Sequence, residues 1–454
     1  MLKSLLSVTA LKLIGLFASF VILLVLSRFY GASVVGGYSI LMTMLTLGGL
    51  IVGFGMPESI LRDSAAWYSK LQVNKISQEC FKLFLVCLIN ALFFWFLLPF
   101  LLSFYTSEPY LSVVLSAQNL IALTALFLAL SHILANVLRG VDSPKLGVFL
   151  RETVSPLITL LLVFFLSIYF NLQENSEPLE MSWVLFFVTT LALVFSLLSY
   201  HKKIGLGLSF KVSSFHGFHR YWLKSLPFVL LSVVVWGNNS VDILMLGAMS
   251  GAQEAGRYTI SARLASVIGL IIIISNNILA PKFTQYYVSE QLDKFKQLAR
   301  KATFYLGVGA IFAFAGAFVL GGFVLRVFGE QFANDHTLLL MLCFAQTINV
   351  LVGPVGYLII AAGKEKVIGI YSMFALLLNV LLNYFLIQSY QAMGAALATS
   401  ISLILLNIFC LLYVKTQLGF FTMSAWLHWQ TMKLYTLEAK QQIWQLFGLK
   451  EMKS

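Results

Sequence analysis

The feature that most constrains this chain is a succession of apolar runs, each about as long as the hydrocarbon layer of a membrane is thick. Windows of about twenty apolar residues fall at 8–27, 36–57, 81–103, 112–138, 147–170 and 181–200, and again at 222–249, 258–279, 304–328, 338–361, 367–387 and 393–414. In lipid every backbone N–H and C=O must be satisfied within its own segment or in a closed barrel, and these runs lack the period of two that barrel strands show. The expected fold is therefore all-α, a polytopic membrane protein of about twelve transmembrane helices. Of the 454 residues 59% are hydrophobic and only 11% charged, which leaves too little polar surface for a water-soluble domain.

Basic residues set the orientation, because short cytoplasmic loops collect Lys and Arg. With Met1 in the cytoplasm, Arg62, Lys70 and Lys75 fall on the same side, as do Arg139, Lys145, Lys202, Lys203, Lys211, Lys294, Arg300, Lys364 and the tail from Lys415. The opposite loops hold Arg28, Arg257 and Arg326 and are otherwise acidic, as at Glu174, Glu177 and Glu180. Both termini are expected in the cytoplasm. The formal charge of +12 then reflects topology and attraction to anionic lipid headgroups, not a nucleic-acid surface.

Lys12 interrupts the first apolar run and no small-residue cleavage pattern follows it, so this run is expected to be a first helix and not a signal peptide. Cys80, Cys87, Cys343 and Cys410 lie in or beside apolar spans without CxxC spacing, which predicts small packed residues, no disulfide framework and no metal site.

The chain is duplicated. Gly31-Ala-Ser-Val-Val-Gly36-Gly-Tyr38-Ser-Ile40 recurs as Gly251-Ala-Gln-Glu-Ala-Gly256-Arg-Tyr258-Thr-Ile260, an offset of 220 residues (251 − 31). Gly49 and Gly269 keep the same register. One repeat holds six spans, an even number, so both copies enter the membrane from the same side as a parallel repeat. The expected organisation is an N-terminal six-helix lobe at 1–200, a cytoplasmic linker at 201–221, a C-terminal six-helix lobe at 222–414 and a cytoplasmic interfacial tail at 415–454. Two lobes with a site between them is the architecture of an alternating-access carrier; a single-chain channel is the other reading.

The stretches Ser27-Arg28-Phe-Tyr-Gly31 through Tyr38, Asp242-Ile-Leu-Met-Leu-Gly247 through Tyr258, and Asn379-Val-Leu-Leu-Asn383 through Thr399 resemble the multidrug/oligosaccharidyl-lipid/polysaccharide exporter superfamily, and within it the polysaccharide transporter branch of Wzx-type flippases. The resemblance runs to about residue 414. It implies a non-enzymatic carrier in the bacterial inner membrane, with no cofactor. Its cargo would be an undecaprenyl-diphosphate-linked oligosaccharide repeat unit, as for O-antigen or capsule, moved from the cytoplasmic to the periplasmic leaflet. Implied partners are that lipid-linked substrate, membrane lipids, and the polysaccharide polymerase and chain-length machinery. The lipid II flippases of the superfamily carry an intramembrane Arg-Asp pair in the first helix; here 22–26 is wholly apolar, which argues against a peptidoglycan precursor.

Ionisable groups inside a span cost about 2.5–3.5 kcal/mol each on insertion scales, so each needs a reason. Lys12 shares a helical face with Thr9, Gly15 and Ser19, and either meets a diphosphate near the cytoplasmic mouth or snorkels. Arg263, about two turns inside its helix, has no such escape. Its guanidinium fork matches phosphate oxygens, making it the leading candidate to grip an anionic headgroup. Asp242 either pairs with it or couples an ion, and the preceding Asn238 and Asn239 point to a wet cavity wall. Arg151 and Glu152 read as a headgroup-level ion pair ahead of a hinge at Pro156. Gln346 and Asn349 precede a second hinge at Pro354, a segment that either contacts sugar or only shapes packing. Glu58 is read as a cap or a partner of Arg62, and His132 as a packed polar residue.

No Walker A, GxSxG, HExxH or strand-borne GxGxxG pattern is present, so no enzyme chemistry is expected. Two alternatives remain: a cation-coupled multidrug exporter of the same superfamily, and a non-transporting assembly scaffold. The intramembrane charges are at least as basic as acidic, which favours an anionic cargo.

Overall fold

A computed structural model describes residues 2–102, 117–169, 178–205, 219–427 and 433–437. The expected linker residues Phe210, Phe215 and Phe218, the acidic Glu174 and Glu177, and the tail aromatics Trp429, Trp444 and Phe447 lie outside the described residues.

In chain order the helices are α1 (Leu2–Gly53), α2 (Met56–Ser69), α3 (Val73–Leu102), α4 (Gln118–Gly140), α5 (Pro144–Val148), α6 (Val154–Tyr169), α7 (Pro178–Ile204), α8 (His219–Ser250), α9 (Ala252–Val288), α10 (Leu292–Phe328), α11 (His336–Val352), α12 (Val355–Ala361), α13 (Glu365–Gln417) and α14 (Ser424–Leu427). A π turn, Phe149–Thr153, joins α5 to α6, and a 3-10 turn, Glu330–Asp335, precedes α11. Among the described residues ten helical stretches are long and apolar enough to cross a membrane. Two of them are double: α1 breaks at Gly31 and α13 at Gln391, where φ turns positive. Counted at those breaks the ten become the twelve that hydropathy predicts. The all-α polytopic fold follows directly from the need to satisfy the backbone in lipid. Phe96 and Phe312 are 72% and 74% exposed, an exposure that only an apolar solvent makes favourable.

By compactness the chain divides into two units. The first comprises Met1–Ile260, Phe323–Asp335 and Leu382–Ala395; the second comprises Ser261–Gly322, His336–Leu381 and Ala396–Ser454. These units follow packing, whereas the limits 1–200 and 222–414 follow the sequence repeat. Much of the difference lies in α8, which opens the second repeat yet is fastened to α1, α2 and α3. Trp236 Nε1 donates to Thr46 Oγ1 at 3.1 Å, Ser225 Oγ lies 3.3 Å from Ser59 Oγ, and Trp222 Nε1 donates to Asn90 Oδ1 at 3.1 Å. Lys224 pairs with Asp63, and Tyr221 donates to Glu79. Gly55, in the left-handed region, is where a side chain would collide with Ser225 and Val229.

In the second unit Phe283, Phe295, Val352, Val355, Leu358, Val414 and Phe420 form one apolar core. A smaller cluster joins Phe304 to Tyr435, with Trp426 against it. Tyr435 is 5% exposed, and its carbonyl accepts from Tyr305. These two tail aromatics are thus packed on α10.

Candidate functional site

The polar centre of the first unit grows out of one proline. Pro156 has no N–H to give the carbonyl of Glu152, four residues back, and the helix meets this vacancy with the π turn at Phe149–Thr153. Gly15 of α1 packs against that same Glu152 carbonyl, where any side chain would collide. Thr153 Oγ1 donates to the Leu11 carbonyl at 3.0 Å, locking α1 to the turn. On this face of α1 Gly15 is buried against the turn and Ser19 is half-buried, while the Lys12 side chain is 43% exposed.

Arg151 and Glu152 sit on this turn but do not pair with each other. Arg151 Nη1 lies 2.8 Å from Glu58 Oε1, and Glu152 Oε1 lies 3.4 Å from Lys12 Nζ. Their side chains are one quarter and one third exposed, so neither pair is sealed. Glu58 accordingly has a different partner from the one the sequence offered; Arg62 instead lies 3.9 Å from Asp63 and stacks over Phe228.

Asn136 organises the cluster. It is fully buried, its Oδ1 accepts from Arg139 at 2.9 Å and from Arg151 at 3.1 Å, and its Nδ2 donates to the Pro57 carbonyl at 2.7 Å. Two guanidinium groups thus converge on one amide oxygen, with Glu58 offsetting part of their charge. A cavity of ≈170 Å³ opens beside them, lined among others by Thr46, Glu58, Leu128, His132, Arg151 and Ser232. His132 is among the residues that line this cavity.

Asp242 forms a second cluster in the first unit. It is 3% exposed, accepts from Tyr258 Oη at 2.8 Å, and accepts from Asn383 Nδ2 at 2.6 Å. Arg263 is exposed and belongs to the second unit, where its carbonyl accepts from Ser266. Asn238 and Asn239 donate to the carbonyls of Val234 and Val235, one turn back, which is how an apolar helix carries two amides cheaply.

Gln346 and Asn349 stand together in the second unit, 3.4 Å apart, with Gly269 close against Gln346. The expected break at Pro354 is present: α11 stops at Val352, Gly353 adopts φ 86°, and α12 restarts at Val355. It sits in the apolar core: the Val350 carbonyl, which Pro354 cannot serve, accepts from the Gly353 N–H at 3.0 Å, and the Val352 carbonyl at the helix end accepts from Thr422 Oγ1 at 2.9 Å.

Sequence reasoning missed Glu58, Asn136 and Arg139 as members of a site, and Tyr258 and Asn383 as partners of Asp242. Signals existed. Asn136 and Arg139 are three residues apart on one helical face, and Tyr258 and Asn383 lie inside the stretches that carry the superfamily resemblance.

Comparisons with known proteins agree with this architecture. Residues 1–287, more than half of the chain, match the family described as polysaccharide biosynthesis protein. A curated relative, the capsular polysaccharide biosynthesis protein CapF of Staphylococcus aureus, is 25% identical over 187 residues, 41% of this chain and 47% of the relative. The matched stretch thus spans about half the length of that relative. Among solved structures, a MATE-family multidrug resistance transporter of the MOP superfamily in an inward-facing conformation matches with TM-score 0.70 at 12% identity, over 90% of this chain and 94% of the other. The lipid II flippase MurJ, in an inward closed conformation, matches with TM-score 0.70 at 16% identity, over 90% and 87%. At these identities the likeness is one of fold.

Proposed function

Because the chain belongs to the polysaccharide biosynthesis protein family, we propose that it is a flippase that carries an undecaprenyl-diphosphate-linked oligosaccharide from the cytoplasmic to the outer leaflet by alternating access. It would reside in the bacterial inner membrane with both termini cytoplasmic, the orientation that the basic loops favour. The observation that carries this reading is the cluster of Arg151, Arg139, Glu58 and Asn136 around a cavity inside apolar helices. Such a group is expensive in lipid and marks a polar pathway.

The charge balance favours an anionic cargo. Both carboxylates of the cluster already hold a cation, Glu58 with Arg151 and Glu152 with Lys12, and Arg139 adds positive charge. An exporter of organic cations needs carboxylates to spare. Lys12 and Arg151 would meet the diphosphate on one part of its path and Arg263 on another.

No nucleotide site is needed to drive the step. Moving one charge through a membrane potential is worth roughly 2.3 kcal/mol per 100 mV, and an inside-negative potential pushes an anionic headgroup outward. Purified protein in vesicles with its lipid-linked oligosaccharide, under a valinomycin-clamped potassium potential at equal pH and without sodium, is expected to flip substrate. Arg263→Ala is expected to abolish flipping at normal protein level, with Arg263→Lys restoring part of it because a point charge lacks the bidentate fork. Flipping that ignores the potential but follows a proton or sodium gradient, and loses that dependence in Asp242→Asn, would replace the electrical mechanism by antiport. Absence of flipping under every gradient would leave the scaffold reading.

A further inference from the structure

The two copies of the repeated stretch meet each other. Gly31 and Gly251 open their segments with nearly the same positive φ, 86° and 87°. Five residues on, a Cβ at Gly36 would run into the carbonyl of Ala252 and the nitrogen of Gly256, while a Cβ at Gly256 would run into the carbonyl of Ala32 and the nitrogen of Gly36. Each atom's partner is the counterpart of the other's, at the repeat offset, so the contact is a local two-fold. Only glycine lets two backbones approach so closely.

Electrostatics opposes this contact. Both segments are the first turns of helices, whose free N–H groups carry partial positive charge. The chain counters the repulsion with a bracket, the 3-10 turn Glu330–Asp335. Gln331 Oε1 accepts from the Ala32 N–H at 3.2 Å, and its Nε2 donates to the Ser27 carbonyl at 3.3 Å. Asp335, 1% exposed, accepts from Arg257 Nε at 2.9 and 3.2 Å. Glu254, on the first turn of α9, accepts from Arg257 at 2.7 Å and from the Ala392 N–H at 3.3 Å. One short turn thus holds both copies, the first by an amide and the second by a charge. The close packing is self-complementary and dry, while its fastening is polar and replaceable by water. That combination suits a contact that must both seal and part.

We propose that Gly36 and Gly256, bracketed by residues 330–335, form the outer gate of the carrier, closed in this structure and parting to release cargo. The purpose rests on the transport reading above; the test does not use a glycan. Thr43, two turns inward on the Gly36 face and 6% exposed, serves as the reporter. In a Thr43→Cys chain, labelling by a membrane-impermeant maleimide is followed in intact cells and in inverted vesicles, against a parent lacking the added thiol.

Gly36→Leu and Gly256→Leu should each raise labelling from outside by roughly tenfold, the order expected when a packed contact is overfilled, with none from inside. Should a leucine variant not accumulate, Gly36→Ala gives the same direction with a smaller wedge. Gln331→Ala and Asp335→Asn, which loosen the bracket without touching the glycines, should give rises of a few fold. Labelling unchanged from both sides in all variants overturns the proposal, and a rise only from the inner side overturns the placement of the gate. Increased labelling in a chain whose parent flips no oligosaccharide keeps the gate and removes the proposed cargo.

Discussion

The structure holds two helix interruptions beside prolines, in opposite surroundings. In the first unit Pro156 leaves the Glu152 carbonyl without its helical donor, and the resulting π turn presents Arg151 and Glu152 to ionic partners beside a cavity. In the second, Gly353 and Pro354 divide α11 from α12 inside a packing of Phe283, Phe295 and Leu358; the Gly353 N–H takes the Val350 carbonyl that Pro354 cannot serve, and a fully buried threonine takes the Val352 carbonyl at the helix end. Proline dictates only that a donor is lost. Whether the break becomes a site or a packed kink depends on residues distant in the chain, here Glu58 and Asn136 in one case and Thr422 in the other.

The contrast breaks most decisively at Arg151. Arg151→Ala would leave Glu58 and the Asn136 amide oxygen short of a partner. Because the pair is partly exposed, the loss is discounted from the fully buried case to about 1–3 kcal/mol, a measurable fall in melting temperature in detergent. Export per inserted molecule is expected to be lost. Adding Glu58→Gln should recover much of the stability and none of the export, which separates folding from transport. Full export in Arg151→Ala would make the first interruption as ordinary as the second.

Pro156→Ala comes next. Restoring an N–H at 156 lets the turn relax to regular α-helix, and removing the extra residue of a π turn swings the preceding side chains by about one residue's rotation, roughly 100°. Arg151 then loses Glu58, and export should fall severalfold at unchanged protein level. A variant that exports normally would show that the turn does not position the charges.

These expectations also mark what the sequence could carry. Hydropathy and the even span count made the all-α fold legible, because lipid leaves the backbone no alternative. Both breaks were legible at Pro156 and Pro354, since the missing donor is written in the residue itself. Partner choice was not. Glu58 looked local to Arg62, and only the packing of α2 on α4, whose Asn136 also holds Arg151, brings it to that arginine. Nothing in one sequence says that α8 is fastened to the first repeat, because Trp236, Ser225 and Lys224 find their partners across gaps of more than 150 residues. Gly36 and Gly256 were visible as a repeat but not as a contact, since duplication fixes likeness and leaves proximity open.

Thr422→Val sharpens the comparison from the other side. Valine keeps the shape and removes the hydroxyl, so the Val352 carbonyl loses its buried donor at a cost of about 1–3 kcal/mol. The melting temperature should drop while export per molecule stays near that of the parent. If export falls with stability intact, the second interruption has a functional role that its apolar surroundings conceal.

The smallest effect is expected at Pro354 itself. It occupies the N-cap of α12 with φ −78° and ψ 41°, a position where a backbone donor has no helical partner to find, so alanine there regains an N–H without a bond to make. What alanine loses is the restriction proline places on the unfolded chain, about 0.4–1 kcal/mol. The break should persist, because Gly353 holds φ 86° against Thr303 and a side chain there would collide with it. Pro354→Ala is therefore expected to melt slightly earlier and to export at the parental rate, whereas Pro156→Ala melts near the parent and exports poorly. Export rates that respond to Pro354→Ala at normal protein level would show that α11 and α12 turn about this point, and the distinction between a charged turn that works and an apolar kink that packs would have to be abandoned.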